Sequence, residues 1–197
     1  MKSRKRKDSI ELPALSQLEQ ELAREKYRRR YGRVLRSTVY TLITVAAVAV
    51  LVATLWLPVL QIYGSSMAPT LQDGDIVASL KSSEFEPGDV IAFYYNNKIL
   101  VKRVIASAGQ WVDIREDGTV YVDGQELNEP YLEEKAFGDC NINLPYQVPD
   151  ERVFVMGDHR SVSVDSRNTE VGCVSQEQIV GKIVFRIWPL RGAGTFF

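Results

Sequence analysis

The chain has 197 residues, 45% of them hydrophobic and 10% aromatic, which excludes a wholly disordered protein. Its 24 Lys+Arg and 25 Asp+Glu leave a net charge of -1, unevenly spread: residues 1–36 hold 12 bases against 5 acids, about +7, and the remainder 12 against 20, about -8. Cys140, Cys173 and the single His159 are too few for a zinc framework.

The first residues, MKSRKRK, read as disordered. In the following "DSIELPALSQLEQELAREKYRRRY", Leu12, Leu15, Leu18 and Leu22 fall at helical spacing, and Pro13 suits a first helical turn. This predicts an amphipathic helix that lies on the inner leaflet or extends an anchor, with a partner-binding helix as the alternative. A basic arm also suits nucleic acid, but the segment after it explains the charge better, and no nucleic-acid partner is expected.

Between Arg36 and Asp73 there is no charged residue. Within that gap "STVYTLITVAAVAVLVATLWLP" supplies about 20 apolar residues, the length that spans a bilayer as a helix. It lacks the polar face of a soluble core helix, having only scattered Thr. A cleaved signal peptide would have a shorter apolar run and a shorter basic region before it, so a retained anchor is expected. "REKYRRRYGRVLR" abuts the start of the run, which places the N-terminus in the cytoplasm and the rest outside. Trp56 and Tyr63 suit the outer interface. The expected organisation is a basic cytoplasmic arm at 1–36, a transmembrane helix at 37–60 and an extracytoplasmic β-rich domain at 61–197.

Beyond Leu60 the pattern turns to period two and short β-branched runs. "DIVASL", "DVIAFYY", "ILVKRVIAS", "WVDIRE", "TVYVDGQEL", "RVFVMGD" and "IVGKIVFRIW" read as strands, with turns at Asp117-Gly118 and Asp123-Gly124. The predicted fold class is therefore a mainly β domain behind one N-terminal transmembrane α-helix.

No Gly-rich phosphate loop follows a strand and no carboxylate spacing suggests a metal, so no cofactor is expected. A Ser-His-Asp triad would have to use His159, and a lone loop histidine is more often structural. A lysine can also activate a serine. Its ordinary pKa of about 10.4 must then fall by roughly three units, which burial in apolar surroundings supplies. Lys102 in "KILVKRVIA" meets that requirement, with Ile99, Val101, Val104 and Ile105 around it. Lys182 in "VGKIVF" is the competitor, while Lys81, Lys98 and Lys135 sit in polar surroundings.

Four stretches carry a resemblance. "GSSMAPTL" resembles the S-M-x-P-T-L box of type I signal peptidases, and "GDVIAF" resembles that family's next box. "VKRVIASAG" resembles its Lys-Arg box, and "VMGDHRSVSVDSR" its G-D-N-R-x-x-S-x-D-S-R box. The order is the family's, behind an N-terminal anchor. The resemblance implies a β-rich Ser/Lys peptidase fold with Ser66 as nucleophile and Lys102 as general base. It implies that Ser163 and Asp165 position the lysine by a hydrogen bond and a nearby charge. Arg103 and Asp158 match a structural ion pair, Arg167 falls near Asp165, and Met67 lies by the pocket for the residue preceding the cut.

Three positions depart from the family pattern. His159 stands where Asn is usual, and Ser161 and Val162 replace a common Asp-Asn pair. Gly64 stands where Gram-negative members commonly have a serine that helps bind the oxyanion, as in Gram-positive members. The oxyanion hole would then rely on backbone N–H groups, including that of Ser66. The implied function is removal of signal peptides from exported preproteins after small residues, at the cell membrane near lipid and the secretion translocon. The alternatives are a peptidase dedicated to pilin or another single substrate, an inactive signal-peptide-binding relative, and a self-cleaving Ser/Lys repressor-type domain. The last is disfavoured by the apolar span.

Overall fold

The computed structural model describes residues 15–81, 84–189 and 194–195. The readings at residues 1–7, Leu12 and Pro13 lie outside them. The chain divides into two compact units, residues 1–52 and 53–197.

The first unit is helical. Helix α1 (Leu15–Trp56) runs for 42 residues, about 60 Å at 1.5 Å per residue, roughly twice a bilayer's apolar thickness. No break in the helix marks the expected change from arm to span at residue 36. The segment contains no proline, and its single glycine, Gly32, is a tolerable cost of about 1 kcal/mol. Pro58, two residues past the end, opposes continuation. Among the described residues α1 is the one helix long and apolar enough to cross a membrane. The scattered threonines fit that role: Thr38, Thr41 and Thr44 donate to the carbonyls of Val34, Ser37 and Tyr40 at 3.0, 2.9 and 2.9 Å. Their hydroxyls are thus satisfied within the helix.

The second unit is β. Its strands are β1 (Val59–Gln61), β2 (Ile76–Leu80), β3 (Val90–Tyr95), β4 (Lys98–Ala106), β5 (Trp111–Ile114) and β6 (Val120–Val122). They continue as β7 (Gln125–Glu126), β8 (Tyr146–Gln147), β9 (Arg152–Met156), β10 (Val174–Ser175), β11 (Ile179–Trp188) and β12 (Gly194–Thr195). All seven expected strand runs are present, and "TVYVDGQEL" is split into β6 and β7 by the Asp123-Gly124 turn. Strands β1, β8, β10 and β12 were not foreseen. Because β1 starts at Val59, the expected boundary after residue 60 falls inside a strand.

The large sheet has the order β1-β2-β11-β3-β4-β9-β10, with β12 on β11. A smaller sheet has the order β7-β6-β5-β8. Strand β3 shows why the centre holds: Val90 and Ala92 enter one core with Ile62, Met67, Leu71, Val77 and Ile183. Its alternate residues Ile91 and Phe93 enter another with Val104, Val153, Val155 and Val174. Burial on both faces is what an unbroken apolar run predicts. A third core, with Ile105, Val112, Ile114, Val120, Phe154 and Met156, joins the small sheet to the large one.

Two open edges matter for function. Among the described residues, strand β1 pairs only with β2, and β4 pairs with β9 only from Arg103 onward, so residues 98–102 have β3 alone as partner. Late strand β11 seals the middle by lying between β2 and β3. There a Cβ on Gly181 would stand 2.7 Å from the Leu80 carbonyl oxygen. Gly181→Ala should therefore destabilise the domain by about 1–3 kcal/mol, read as a lower thermal or denaturant midpoint; an unchanged midpoint contradicts this packing.

Candidate active site

The turn that carries Ser66 is closed at its base before its tip is shaped. Ile62 N–H donates to Asp75 O at 2.8 Å and Gly74 N–H to Ile62 O at 2.9 Å. Met67, 2% exposed, plugs the turn into the core and also lines the cleft outside it. Gly64 has φ +87, a conformation costly for any side chain, and its N–H donates to Asp73 Oδ1 at 2.7 Å. Gly64 therefore makes the turn, and its N–H is already engaged. The Ser66 N–H, by contrast, makes no hydrogen bond among the described residues.

Lys102 reaches this turn from β4. Its Nζ lies 2.7 Å from Ser66 Oγ, and the residue is only 3% exposed. Burial, the largest influence, lowers its pKa from 10.5 to about 8; Asp165 and Asp158 oppose the shift and Arg167 reinforces it. The competing Lys182 pairs instead with Asp89 at 2.5 Å.

The carboxylates around Lys102 are committed to arginines. Asp165, fully buried, accepts from Arg167 Nε and Nη2, both at 2.9 Å, and from Gly157 N–H at 3.0 Å. Asp158 accepts from Arg103 Nε at 2.9 Å and Nη2 at 2.7 Å. Ser163 Oγ is buried and has no hydrogen-bond partner among the described residues. The expected serine-to-lysine hydrogen bond is thus not made; among the described residues the amine is bonded to Ser66 alone.

The Arg103–Asp158 pair gathers all four sequence boxes. Arg103 follows Lys102, Asp158 lies in the last box, Arg103 Nη1 donates to Gly88 O at 2.7 Å, and Thr70 Oγ1 donates to Asp158 Oδ2 at 2.5 Å. The Arg103 guanidinium also stacks on the Tyr131 ring, 3.9 Å from its centroid. Tyr131 donates to Glu129 at 2.9 Å, and Glu129 forms a fully buried ion pair with Arg160, which donates to Gly157 O at 3.1 Å. Sequence reasoning missed Thr70, Gly157, Glu129, Tyr131 and Arg160. Thr70, Gly157 and Arg160 stood inside recognised boxes without a role. Glu129 and Tyr131 lie in "LNEPYLEE", which reads as a polar loop and carries no signal.

Gly157 is present for space: a Cβ there would lie 2.2 Å from Ser163 Oγ and 2.5 Å from Ser66 O. His159 touches the turn without reaching the hydroxyl, its Nδ1 lying 3.3 Å from Ser65 O. Cys140 and Cys173 are both free thiols. A cleft of about 710 Å³ opens beside Ser66, lined by Leu60, Tyr63, Met67, Ile99 and Val101 among others. It lies along both open strand edges, and its walls are mainly apolar.

This β domain, with a serine and a buried lysine in contact beside an apolar cleft, has the form of a serine hydrolase. Residues 35–188 match the family described as signal peptidase, peptidase S26. The chain belongs to that family and is a signal peptidase-class hydrolase. It is 40% identical to signal peptidase IB of Staphylococcus aureus over 148 residues, covering 65% of this chain and 76% of that one. With signal peptidase I of Bacillus amyloliquefaciens it shares 37% over 141 residues, covering 65% and 72%. A crystal structure of a signal peptidase I from Enterococcus faecalis aligns with TM-score 0.44 and 30% identity, covering 50% of this chain and 96% of that one. The two sequence relatives support a Gram-positive-like type I signal peptidase.

Removing one partner of the central ion pair leaves a buried charge unpaired. Arg103→Met should cost about 3–5 kcal/mol in an unfolding titration; a loss under about 1 kcal/mol would show that the pair does not organise the site.

Proposed function

We propose that the protein is a membrane-anchored serine endopeptidase that cuts signal peptides from exported preproteins, with Ser66 as nucleophile and Lys102 as general base. The 2.7 Å contact between a buried lysine amine and a serine hydroxyl carries this reading. Neutral Lys102 takes the proton from Ser66 as Oγ attacks the scissile carbonyl. The tetrahedral oxyanion accepts a hydrogen bond from the Ser66 N–H, and the lysine returns its proton to the leaving amine. Water, deprotonated by the same lysine, then hydrolyses the acyl-enzyme. Asp165, tied to Arg167, contributes a fixed charge, and Ser163 Oγ is a hydroxyl within the site that rotates to meet the amine or the attacking water.

Substrate binds as an extended strand between the two open edges, since β1 and residues 98–102 offer unpaired backbone groups. The apolar cleft wall at Met67 and Ile99 favours small residues at the first and third positions before the cut. Residues 1–36 are cytoplasmic by the positive-inside rule, α1 is the anchor, and the β domain faces outward. Holding enzyme and uncleaved signal peptide in one membrane raises their effective concentration, and the translocon supplies the substrate nearby.

Detergent-solubilised full chain, Ser66→Ala and Lys102→Ala are compared on a preprotein with a small-residue site. The wild type is expected to cut there, and each variant to lose about 10³-fold or more in rate. Cutting by either variant at the wild-type rate overturns the dyad.

The lowered lysine pKa has two consequences. The base must be neutral, so kcat/KM should rise with pH and level off above about 8; an acidic limb still near 10 would contradict a desolvated lysine. In folding, the charged form is disfavoured in the native state, so the penalty is complete below pH 8 and fades as pH rises through 10.5. Lys102→Met should therefore be inactive yet more stable below pH 8 by about 3 kcal/mol, the gain shrinking between pH 8 and 10.5. Thermal melts across that range measure it.

A further inference from the structure

His159 is the chain's single histidine, and both its neighbours are anchored. Asp158 is bound to Arg103, and Arg160 to Glu129 and the Gly157 carbonyl. His159 N–H donates to Ser66 O at 3.0 Å, while its own carbonyl accepts from the N–H groups of Val162 and Ser163 at 3.2 and 3.1 Å. Its ring Nδ1 lies 3.3 Å from Ser65 O. One residue thus grips two successive carbonyls of the turn that carries Ser66.

A carbonyl oxygen can only accept, so the ring contact is a hydrogen bond only when Nδ1 carries the proton. A neutral imidazole has one N–H, and the contact therefore selects the Nδ1–H tautomer. The Ser65 carbonyl and the Ser66 N–H belong to one planar peptide, which is not among the cis bonds of the chain. In a trans peptide these two groups point in opposite directions. The carbonyl also accepts from the Ala68 N–H at 3.1 Å, so His159 adds a second hydrogen bond on the side opposite the N–H, and a hydrogen bond at one end of an amide polarises the other. That N–H has no partner among the described residues.

We infer that His159, as the Nδ1–H tautomer, is a positioning residue that orients and polarises the Ser66 N–H as an oxyanion donor. This rests on the assignment of Ser66 as nucleophile. It also gives the histidine at this position a reason: the Asn usual in the resembled family also carries a side-chain N–H, so a donor group is kept while the residue changes.

The test uses the full chain in detergent with His159→Ala, His159→Phe and His159→Asn, assayed on the same preprotein. Alanine and phenylalanine should each lower kcat about tenfold with little change in KM, because an oxyanion donor acts in the transition state. Asparagine should stay within about threefold of wild type. Nitrogen-15 spectra of the single histidine in the uncut enzyme should show protonated Nδ1. Wild-type kcat in His159→Phe, a loss confined to KM, a proton on Nε2, or a lower melting temperature with unchanged kcat would each overturn the inference. The two proposals fail separately. A cutting Ser66→Ala variant defeats the assignment of the nucleophile, whereas an inert Ser66→Ala beside a fully active His159→Phe defeats only the role of His159.

Discussion

The site depends on keeping one lysine dry without giving it a counter-ion. A buried ammonium ordinarily recruits the nearest carboxylate, and the pair then raises rather than lowers the lysine pKa. Here the two nearby carboxylates are already held bidentately, Asp165 by Arg167 and Asp158 by Arg103. The Lys102 amine is left with the Ser66 hydroxyl as its partner. Burial then dominates, and the amine is poised near pH 8. The arginines act chiefly by occupying carboxylates that would otherwise hold the proposed base protonated.

That arrangement explains the density of buried charge in so small a domain. Three arginine–carboxylate pairs, Arg103–Asp158, Arg160–Glu129 and Arg167–Asp165, surround the site with both partners almost wholly buried. Buried pairs contribute little net stability compared with apolar packing. Their use here is geometric: Arg103–Asp158 and Arg160–Glu129 tie segments distant in sequence, so Thr70, Gly88, Tyr131 and Gly157 converge on one cluster, and Arg167 reaches the Phe137 carbonyl. The sheet order has the same effect. With β11 between β2 and β3, the domain cannot close its centre until the last long strand arrives, and the edges left open at β1 and β4 form the cleft.

Much of this was legible from residues alone, for identifiable reasons. The seven long strands and the Asp123-Gly124 hairpin announce themselves through period-two apolar patterning and turn chemistry, which are local. Lys102 could be singled out because, Arg103 apart, its neighbours from Ile99 to Ile105 are apolar. Less local features were hidden. Gly157 is required because Ser66 and Ser163 approach it from elsewhere in the chain. Glu129 and Tyr131 look like exposed loop residues until Arg160 and Arg103 come to meet them.

The sequence by itself determined the apolar helix and the β character of the rest, and its resemblance to a known family put Ser66 and Lys102 forward, because composition, periodicity and motif order are properties of adjacent residues. It did not determine that arm and span form one helix, that Gly64 spends its N–H on Asp73, or that Ser163 leaves its hydroxyl unbonded. Only the tertiary structure decided these points, along with the enclosure that depresses the lysine. Desolvation and hydrogen-bond commitment depend on groups brought together from across the chain, and no window of neighbouring residues contains them.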